Sequence, residues 1–209
     1  RALGDTTRVV AAALRYDEGH TIKLPNPGCA SAGCRKCGGY AYRVCMSSRV
    51  LILMRHGKSG YPEGVADHER PLAERGQREA GLAGDWLRAH YAPIDAVLCS
   101  TATRTRETLQ ATKIDAPVSF EKAIYGGSPH QLIDLVRIAA DAAHTLLLIG
   151  HNPGIAWTAW ELAANRSSPP AEAISVKFPT SGLAVLELDG AWTDVDTGYL
   201  DLVTFHVPR

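Results

Sequence analysis

The sequence predicts an α/β protein: a three-layer α/β/α sandwich with a mainly parallel sheet and an antiparallel edge. Short apolar runs alternate with segments of helical periodicity, which favours parallel strands joined by crossover helices. Two of these runs end in a histidine beside a glycine-containing turn. The last runs lie close together in the chain, which is typical of strands that pair antiparallel.

The first strand is predicted at residues 50–54, where five apolar residues stop at Arg55-His56-Gly57. An unbroken apolar run bounded by glycine is typical of a strand buried on both faces. In open α/β sheets the ligand lies beyond the carboxyl ends of the strands. An arginine beside an imidazole suits an anion such as phosphate, with His56 as a candidate nucleophile. Gly57 lets the backbone turn sharply there.

The later elements are predicted from further apolar runs and their periodicity. Strands are expected at residues 94–99, 116–120, 145–150, 173–178, 182–189 and 199–205. Helices are expected at about residues 71–91, from about residue 102, at about residues 129–142 and at about residues 153–165. In the helical segments the apolar residues recur at spacings of three and four. Pro153 suits the first turn of a helix.

A polar loop at residues 60–70 follows the Arg-His-Gly turn. It is rich in Gly, Pro, Asp and His, as loops are. Its position allows four of its residues to reach a ligand: Asp67, His68, Glu69 and Arg70. For each of them taken singly, a solvated loop charge is the alternative interpretation.

Two arginines and two histidines are expected to converge at one edge of the sheet. Arg55 and His56 follow the first predicted strand, Arg104 follows the second, and His151 follows the strand at residues 145–150. Arg104 lies in the first turns of its helix, where free backbone N–H groups favour an anion. A single histidine at a strand end is usually structural. Burying two guanidinium groups without an anion is costly, so the four residues together indicate an oxyanion site.

Composition restricts the range of partners. The chain has 209 residues, 45% of them hydrophobic, and a formal net charge of zero, as expected of one globular domain. Neutral charge gives no reason to expect nucleic acid or an anionic membrane as a partner. No apolar run approaches the roughly 20 residues that a membrane span needs. We therefore expect a cytoplasmic protein.

The first 45 residues differ from the rest in composition. They hold seven basic against three acidic residues and four of the five cysteines, and the first methionine is Met46. We expect residues 1–45 to be a disordered extension and residues 46–209 to form the domain.

The N-terminal cysteines also allow a zinc hypothesis. Cys34 and Cys37 have the spacing of half a zinc site, and Cys29, Cys45 or His20 would have to complete it. The second half lacks matching spacing, so a disordered extension is the preferred interpretation.

Three ordered motifs resemble those of the histidine phosphatase superfamily, whose fold is phosphoglycerate mutase-like. They are Arg55-His56-Gly57, Ser100-x-Ala102-x-Arg104-x-x-x-Thr108 and Gly150-His151-Asn152-Pro153-Gly154. The resemblance extends from residue 49 to about residue 207. The stretches at residues 70–76 and 178–182 are similar to those of the compact SixA-like branch.

The resemblance implies roles for individual residues. It implies that His56 is phosphorylated, and that Arg55, Arg104 and His151 bind the phosphoryl oxygens. We add Gly57, Ser59, Arg70 and Asn152 as candidate substrate-binding residues. No metal or other cofactor is implied. One departure is Thr101, at a position where proline is common in the family.

The general acid is the least certain assignment by resemblance. Many relatives use a glutamate ahead of a Tyr-Gly stretch, and Glu121 is the nearest equivalent, although its register differs by about one residue. Asp67 is a weaker candidate. SixA-like relatives often lack this acid. A phosphohistidine substrate, or another with a good leaving group, needs less help from an acid than an alkyl phosphate does.

The sequence therefore predicts a metal-independent phosphatase that works through a phosphohistidine intermediate, with a SixA-like phosphohistidine phosphatase as the leading hypothesis. Its partner would be a phosphorylated protein, and the chain would be a monomer or a weak dimer. A phosphomonoesterase acting on a small phosphorylated metabolite is the alternative within the family. A non-catalytic phosphate-binding module is a second alternative, and the intact His56 argues against it.

Overall fold

The structure is a computed structural model that describes residues 48–209. The expected disordered extension at residues 1–45 and the proposed cysteine site therefore lie outside the described residues. The strands are β1 (Arg49–Arg55), β2 (Ala96–Ser100), β3 (Val118–Glu121), β4 (Thr145–Gly150), β5 (Leu183–Leu188) and β6 (Asp201–His206). The helices are α1 (Glu74–His90), α2 (Thr103–Thr112), α3 (Pro129–Arg137), α4 (Gly154–Leu162) and α5 (Pro169–Val176).

The six strands form one sheet in the order β3-β2-β4-β1-β5-β6. The pairs β1–β4, β2–β4 and β2–β3 are parallel, whereas β5 and β6 join antiparallel at one side. The predicted mainly parallel sheet with an antiparallel edge is confirmed. Because β1 and β4 are central neighbours, the histidines that follow them come to the same edge of the sheet.

The core lies on both faces of this sheet, as the continuous apolar strands predict. Along β1, Leu51 and Leu53 join one buried cluster with residues of α3, α4 and α5. Ile52 and Met54 join the other cluster with residues of α1. All four are fully buried, and burial of each stabilises the fold by about 1.5–3 kcal/mol. The sheet is therefore the middle of three layers.

The register of β1 and β4 sets the position of the site. Arg55 pairs with Gly150, and the backbone N–H of His56 donates to the Gly150 carbonyl at 3.0 Å. His56 and His151 thus leave adjacent strands at matched positions.

One predicted strand is wrong. The sequence predicts a strand at residues 173–178, a stretch in which Ile174, Val176 and Phe178 stand at every second position, but most of it belongs to α5. Two prolines open the helix in its first turn, where a missing N–H costs nothing. Ile174 is 4% exposed and Val176 is 86% exposed, so the two lie on opposite sides, as helical geometry requires.

Helix α1 packs closely on both the site and α2 through two glycines. A Cβ on Gly76 would lie 2.1 Å from the Lys58 carbonyl oxygen, and one on Gly84 would lie 2.0 Å from the Thr112 carbonyl oxygen. Only glycine allows these backbones to approach so closely. Across residues 48–209, the helices are too short or too polar to span a bilayer.

Candidate active site

His56 is a buried, neutral imidazole with one free ring nitrogen. Its Nδ1 lies 2.7 Å from the Gly57 carbonyl oxygen, and because a carbonyl only accepts, Nδ1 carries the proton. Burial first, and then the charges of Arg104 and Arg55, lower the pKa of His56 to about 4 against the opposing effect of that hydrogen bond. The unprotonated Nε2 is therefore available as a nucleophile at neutral pH.

His151 faces His56 across the site. The two ring centroids are 5.0 Å apart with the planes at 52°. His151 Nε2 lies 2.9 Å from Ser100 Oγ, while its Nδ1 is buried without a hydrogen-bond partner among the described residues. Burial, then the neighbouring His56 and Arg104, lower the pKa of His151 to about 3. A buried nitrogen of this kind is costly unless a ligand satisfies it.

A single carbonyl orients Arg55 and Asn152. Arg55 Nη1 donates to the Phe178 carbonyl oxygen at 2.8 Å, and Asn152 Nδ2 donates to the same oxygen at 3.1 Å. Arg55 Nε and Asn152 Oδ1 are buried and lack partners within residues 48–209. Burial lowers the pKa of Arg55, although a guanidinium remains charged at any physiological pH.

Asp67 holds two arginines from the loop side. Arg104 Nη2 donates to Asp67 Oδ2 at 3.0 Å, and Arg104 Nη1 donates to the Asp67 carbonyl. Arg70 Nη1 donates to Oδ1 at 2.6 Å, and the Tyr125 hydroxyl donates to Oδ2 at 2.6 Å. Tyr125, Arg70 and Arg104 together keep the pKa of Asp67 well below its usual range. The ionised Asp67 carboxylate thus pairs with both Arg70 and Arg104 and holds the two guanidinium groups in place.

The substrate-binding candidates Ser59 and Arg70 contact each other. Arg70 Nη2 donates to Ser59 Oγ at 2.6 Å, and Arg70 Nε donates to the Gly60 carbonyl at 3.0 Å. The ring of Tyr61 lies over the Arg70 guanidinium at 3.5 Å. These contacts fix Arg70 beside Asp67.

Gly57 links the first two motifs through its backbone. Its N–H donates to Thr108 Oγ1 at 2.9 Å, and the Thr108 hydroxyl donates to the Arg104 carbonyl at 2.6 Å. A Cβ on Gly57 would lie 2.8 Å from the Gly76 carbonyl oxygen. The absence of a side chain at Gly57 therefore allows its backbone to lie against Gly76 while its N–H bonds to Thr108.

The sequence predicts that His68 can reach a ligand but not which residues it contacts, and it assigns no role to Tyr125 at the rim of the site. Tyr125 places its ring 5.2 Å from His151 and 4.9 Å from His68, edge-on in both cases. His68 Nε2 lies 3.0 Å from Thr101 Oγ1, and Nδ1 lies 3.0 Å from Glu69 Oε1. The Tyr-Gly stretch in the sequence could have drawn attention to Tyr125. The contact between His68 and Thr101 joins residues 33 positions apart and has no signature in the sequence.

Chemically, the arrangement suits a tetrahedral oxyanion. The charges of Arg104 and Arg55 act on the His56 ring, and Arg55 Nε and His151 Nδ1 are buried donors without a partner within residues 48–209. Guanidinium groups and imidazoles bind phosphoryl oxygens by charge-assisted hydrogen bonds. Within residues 48–209, no three His, Cys, Asp or Glu side chains are grouped to hold a metal ion.

Comparison with known proteins establishes the family. The profile of the histidine phosphatase superfamily (branch 1) matches residues 51–124. A SixA structure from Nakamurella multipartitia is 40% identical, covers 77% of this chain and 96% of its own chain, and has a TM-score of 0.72. The chain belongs to the histidine phosphatase superfamily.

Two curated relatives are similar over most of the described domain. An uncharacterized protein of Mycobacterium tuberculosis is 54% identical over 158 residues, which are 75% of this chain and all of that protein. The phosphohistidine phosphatase SixA of Escherichia coli is 27% identical over 146 residues, which are 66% of this chain and 85% of that protein. The predicted phosphoglycerate mutase-like fold and SixA-like resemblance are confirmed.

Glu121, the predicted acid, lies at the end of β3. Its carboxylate accepts a hydrogen bond from Ser119 Oγ at 2.6 Å. Across residues 48–209 it makes no hydrogen bond to the four converging residues, unlike Asp67, which is bonded to Arg104. Its role as an acid stays a prediction.

Proposed function

We propose that this member of the superfamily hydrolyses a phosphorylated histidine on a protein through a covalent phosphohistidine at His56. The observation that carries the proposal is the state of His56: a buried neutral ring whose Nδ1–H is held by Gly57, so that Nε2 is unprotonated. The charges of Arg104 and Arg55 act on this ring, and the ring of His151 lies 5.0 Å from it. A non-catalytic binding module has no need for a nucleophile held in one tautomer.

In the first step, His56 Nε2 attacks phosphorus while the bond from phosphorus to the leaving group breaks. Negative charge spreads over the three equatorial oxygens in such a transition state. Arg55 and Arg104 neutralise that charge, and donors already in place require little reorganisation. Removing one donor of this kind typically costs about 10²–10³-fold in kcat.

His151 contributes a neutral N–H donor. Ser100 Oγ accepts from the Ala102 N–H at 3.4 Å, so its own hydrogen is free to point at His151 Nε2. Nε2 then accepts, and the proton resides on Nδ1, which is the buried nitrogen without a protein partner. This Nδ1–H is free to donate to a phosphoryl oxygen.

In the second step, water attacks the phosphorus of phosphorylated His56. The phosphorus–Nε2 bond breaks, its electron pair returns to the imidazole, and the protons of water end on the released phosphate. The same arginines and His151 stabilise this transition state, because the same oxygens carry the charge.

An accessible rim supports a protein substrate. The chain between Arg104 and His151 holds the rest of α2, then β3, α3 and β4, a span too short for a separate cap over the site. Tyr61 and Tyr125, at the loop side, are 73% and 37% exposed. The phosphohistidine phosphatase SixA of Escherichia coli is a relative whose name states this activity.

The decisive experiment compares three substrates: a phosphohistidine protein, 4-nitrophenyl phosphate and a sugar phosphate. We expect kcat/KM to be highest for the phosphohistidine protein, and trapping to give an acid-labile, base-stable phosphoenzyme. The H56A variant should lose turnover and labelling while keeping the wild-type circular dichroism. The H90A variant, altered at the end of α1, is the matched control and should remain active.

Three results would contradict the proposal. Turnover by H56A would remove the nucleophile, and an acid-stable phosphoenzyme would point to a serine instead. A higher kcat/KM for the sugar phosphate would favour the small-molecule phosphomonoesterase.

A further inference from the structure

The rim of the site carries a third histidine. His68 lies in the short 3-10 turn Asp67–Glu69, and its side chain is 36% exposed. The rings of His56, His151, Tyr125 and His68 follow one another at centroid distances of 5.0, 5.2 and 4.9 Å. His68 is therefore connected to His151, the ring that faces the nucleophile, through the ring of Tyr125.

The leaving group departs on the side where His68 lies. Phosphoryl transfer places the attacking and leaving atoms roughly in line. His56 is 8% exposed and attacks from the buried side, so the leaving group points toward the open rim. His68 and Tyr125, both partly exposed, form that rim.

The carboxyl groups near the rim are poorly suited to donate a proton. Asp67 is kept ionised by Tyr125 and two arginines, which hold its pKa well below the usual range. Glu69 is bonded to His68, and this contact lowers the pKa of Glu69. Glu121 is bonded to Ser119. An ionised carboxylate has no proton to give, so another source is needed for a basic leaving group.

His68 has both contacts that a proton source requires. Its Nδ1 faces the Glu69 carboxylate, which compensates the positive charge of the imidazolium form. Its Nε2 lies 3.0 Å from Thr101 Oγ1. The other charged groups near this pair are Asp67 beside it in the turn, Arg104 over the Tyr125 ring and Arg106 near Glu69.

We propose that His68 supplies the leaving-group proton through the hydroxyl of Thr101, an inference that rests on the proposed phosphatase activity. As the bond to phosphorus breaks, the Thr101 hydroxyl gives its hydrogen to the leaving nitrogen or oxygen. His68 Nε2–H passes its proton to Thr101 Oγ1 at the same time. His68 ends neutral, accepts from the restored hydroxyl, and is reprotonated from solvent. Thr101 is then the catalytic residue and His68 a positioning and proton-supplying residue.

The test compares two aryl phosphates that differ by one ring substituent and therefore in the basicity of the leaving group. 4-Nitrophenyl phosphate releases a stable anion, whereas phenyl phosphate releases a more basic one that needs a proton. We expect H68A to lower kcat/KM about 10²-fold for phenyl phosphate, as loss of a general acid does, with little change for 4-nitrophenyl phosphate. Added imidazole should restore the phenyl phosphate rate of H68A. The H90A control should leave both rates unchanged.

A second variant tests the relay without removing the histidine. T101V replaces the hydroxyl by a methyl group of similar size, and we expect the same selective loss on phenyl phosphate but no rescue by imidazole. Equal losses on both substrates in either variant would show a merely structural role and overturn the proposal. A selective loss in H68A with none in T101V would overturn the relay through Thr101. Loss of turnover on both substrates in H56A tests the proposed function separately.

Discussion

His56 and His151 are held 5.0 Å apart by hydrogen bonds of opposite sense. His56 donates from Nδ1 to a backbone carbonyl, whereas His151 Nε2 is bonded to the buried Ser100 hydroxyl. Each ring therefore keeps one nitrogen for the ligand, a nucleophile in one case and a donor in the other. Two imidazoles of the same type thus have different roles because their partners differ.

The Ser100 hydroxyl is expected to set the tautomer of His151. S100A removes one buried hydrogen bond, and we expect kcat/KM on 4-nitrophenyl phosphate to fall about tenfold, the equivalent of about 1.4 kcal/mol. Steady-state kinetics measure this. The exposed Ser175, on α5, offers S175A as a control that should be silent. An unchanged rate in S100A would show that the tautomer is set by another group.

Both site histidines should stay neutral well below the ordinary histidine range. Burial lowers the pKa of His56 to about 4 and that of His151 to about 3. Imidazole NMR shifts, assigned with H56N and H151N, should therefore titrate near these values instead of near 6.5. A midpoint at the ordinary value for either ring would contradict the buried site.

These lowered pKa values make folding stability depend on pH. Between about pH 6.5 and about pH 4 the unfolded chain binds protons that folded His56 and His151 do not, so the free energy of unfolding falls as pH falls. The slope contributed is up to about 1.4 kcal/mol per pH unit for each histidine. Urea unfolding of the wild type and of the H56N/H151N double variant measures it. The double variant should show the flatter dependence, and equal slopes would refute the assignment.

Substitution of two glycines of α1 should affect stability in both cases but catalysis in only one. G76A and G84A each force a Cβ within about 2 Å of a carbonyl oxygen, and each should cost about 4 kcal/mol or more. Gly76 abuts Lys58 beside the site, so G76A should also lower the kcat of the protein that remains folded. Gly84 abuts Thr112 on α2, so G84A should lower Tm alone. G60A, with no atom within 3.8 Å of the new Cβ, is the neutral control.

Substitution of Glu121 tests whether this carboxyl group or the pair of His68 and Thr101 supplies the leaving-group proton. Because its carboxylate is bonded to Ser119 on the β3 edge, we expect E121Q to leave the rate on phenyl phosphate unchanged. A fall of about 10²-fold on that substrate alone would make Glu121 the general acid. The same assay on S119A shows whether freeing the carboxylate matters.

The central strands were predictable because they are buried on both faces and therefore appear in the sequence as unbroken apolar runs. The runs that became β1 and β4 have this burial, as a continuous apolar run predicts. The prediction failed at residues 173–178, where a period of two in three apolar residues outweighed the two prolines that begin α5. The fixed φ angle of each proline suits the first turn of a helix, and this stretch is helical although its apolar residues alternate as in a strand.

The centre of the site was predictable for a related reason, and its rim was not. Arg55 ends β1, and His56 and His151 directly follow β1 and β4, so the pairing of these two central strands brings the three together. The rim depends on where a loop folds back: Asp67 meets the Tyr125 hydroxyl 58 residues away in the sequence. No periodicity encodes such a contact, which is why the role of Tyr125 and the contact between His68 and Thr101 emerged only from the structure.

The amide of His56 is bonded to Gly150 where the two central strands β1 and β4 end. Its hydrogen exchanges with deuterium when this bond opens, and bonds at the ends of strands open at a lower free energy than bonds in their interior. Hydrogen exchange at this amide therefore measures how often the backbone beside the reactive ring comes apart. Compared with an amide in the interior of β1, it separates opening of the site from loss of the whole sheet.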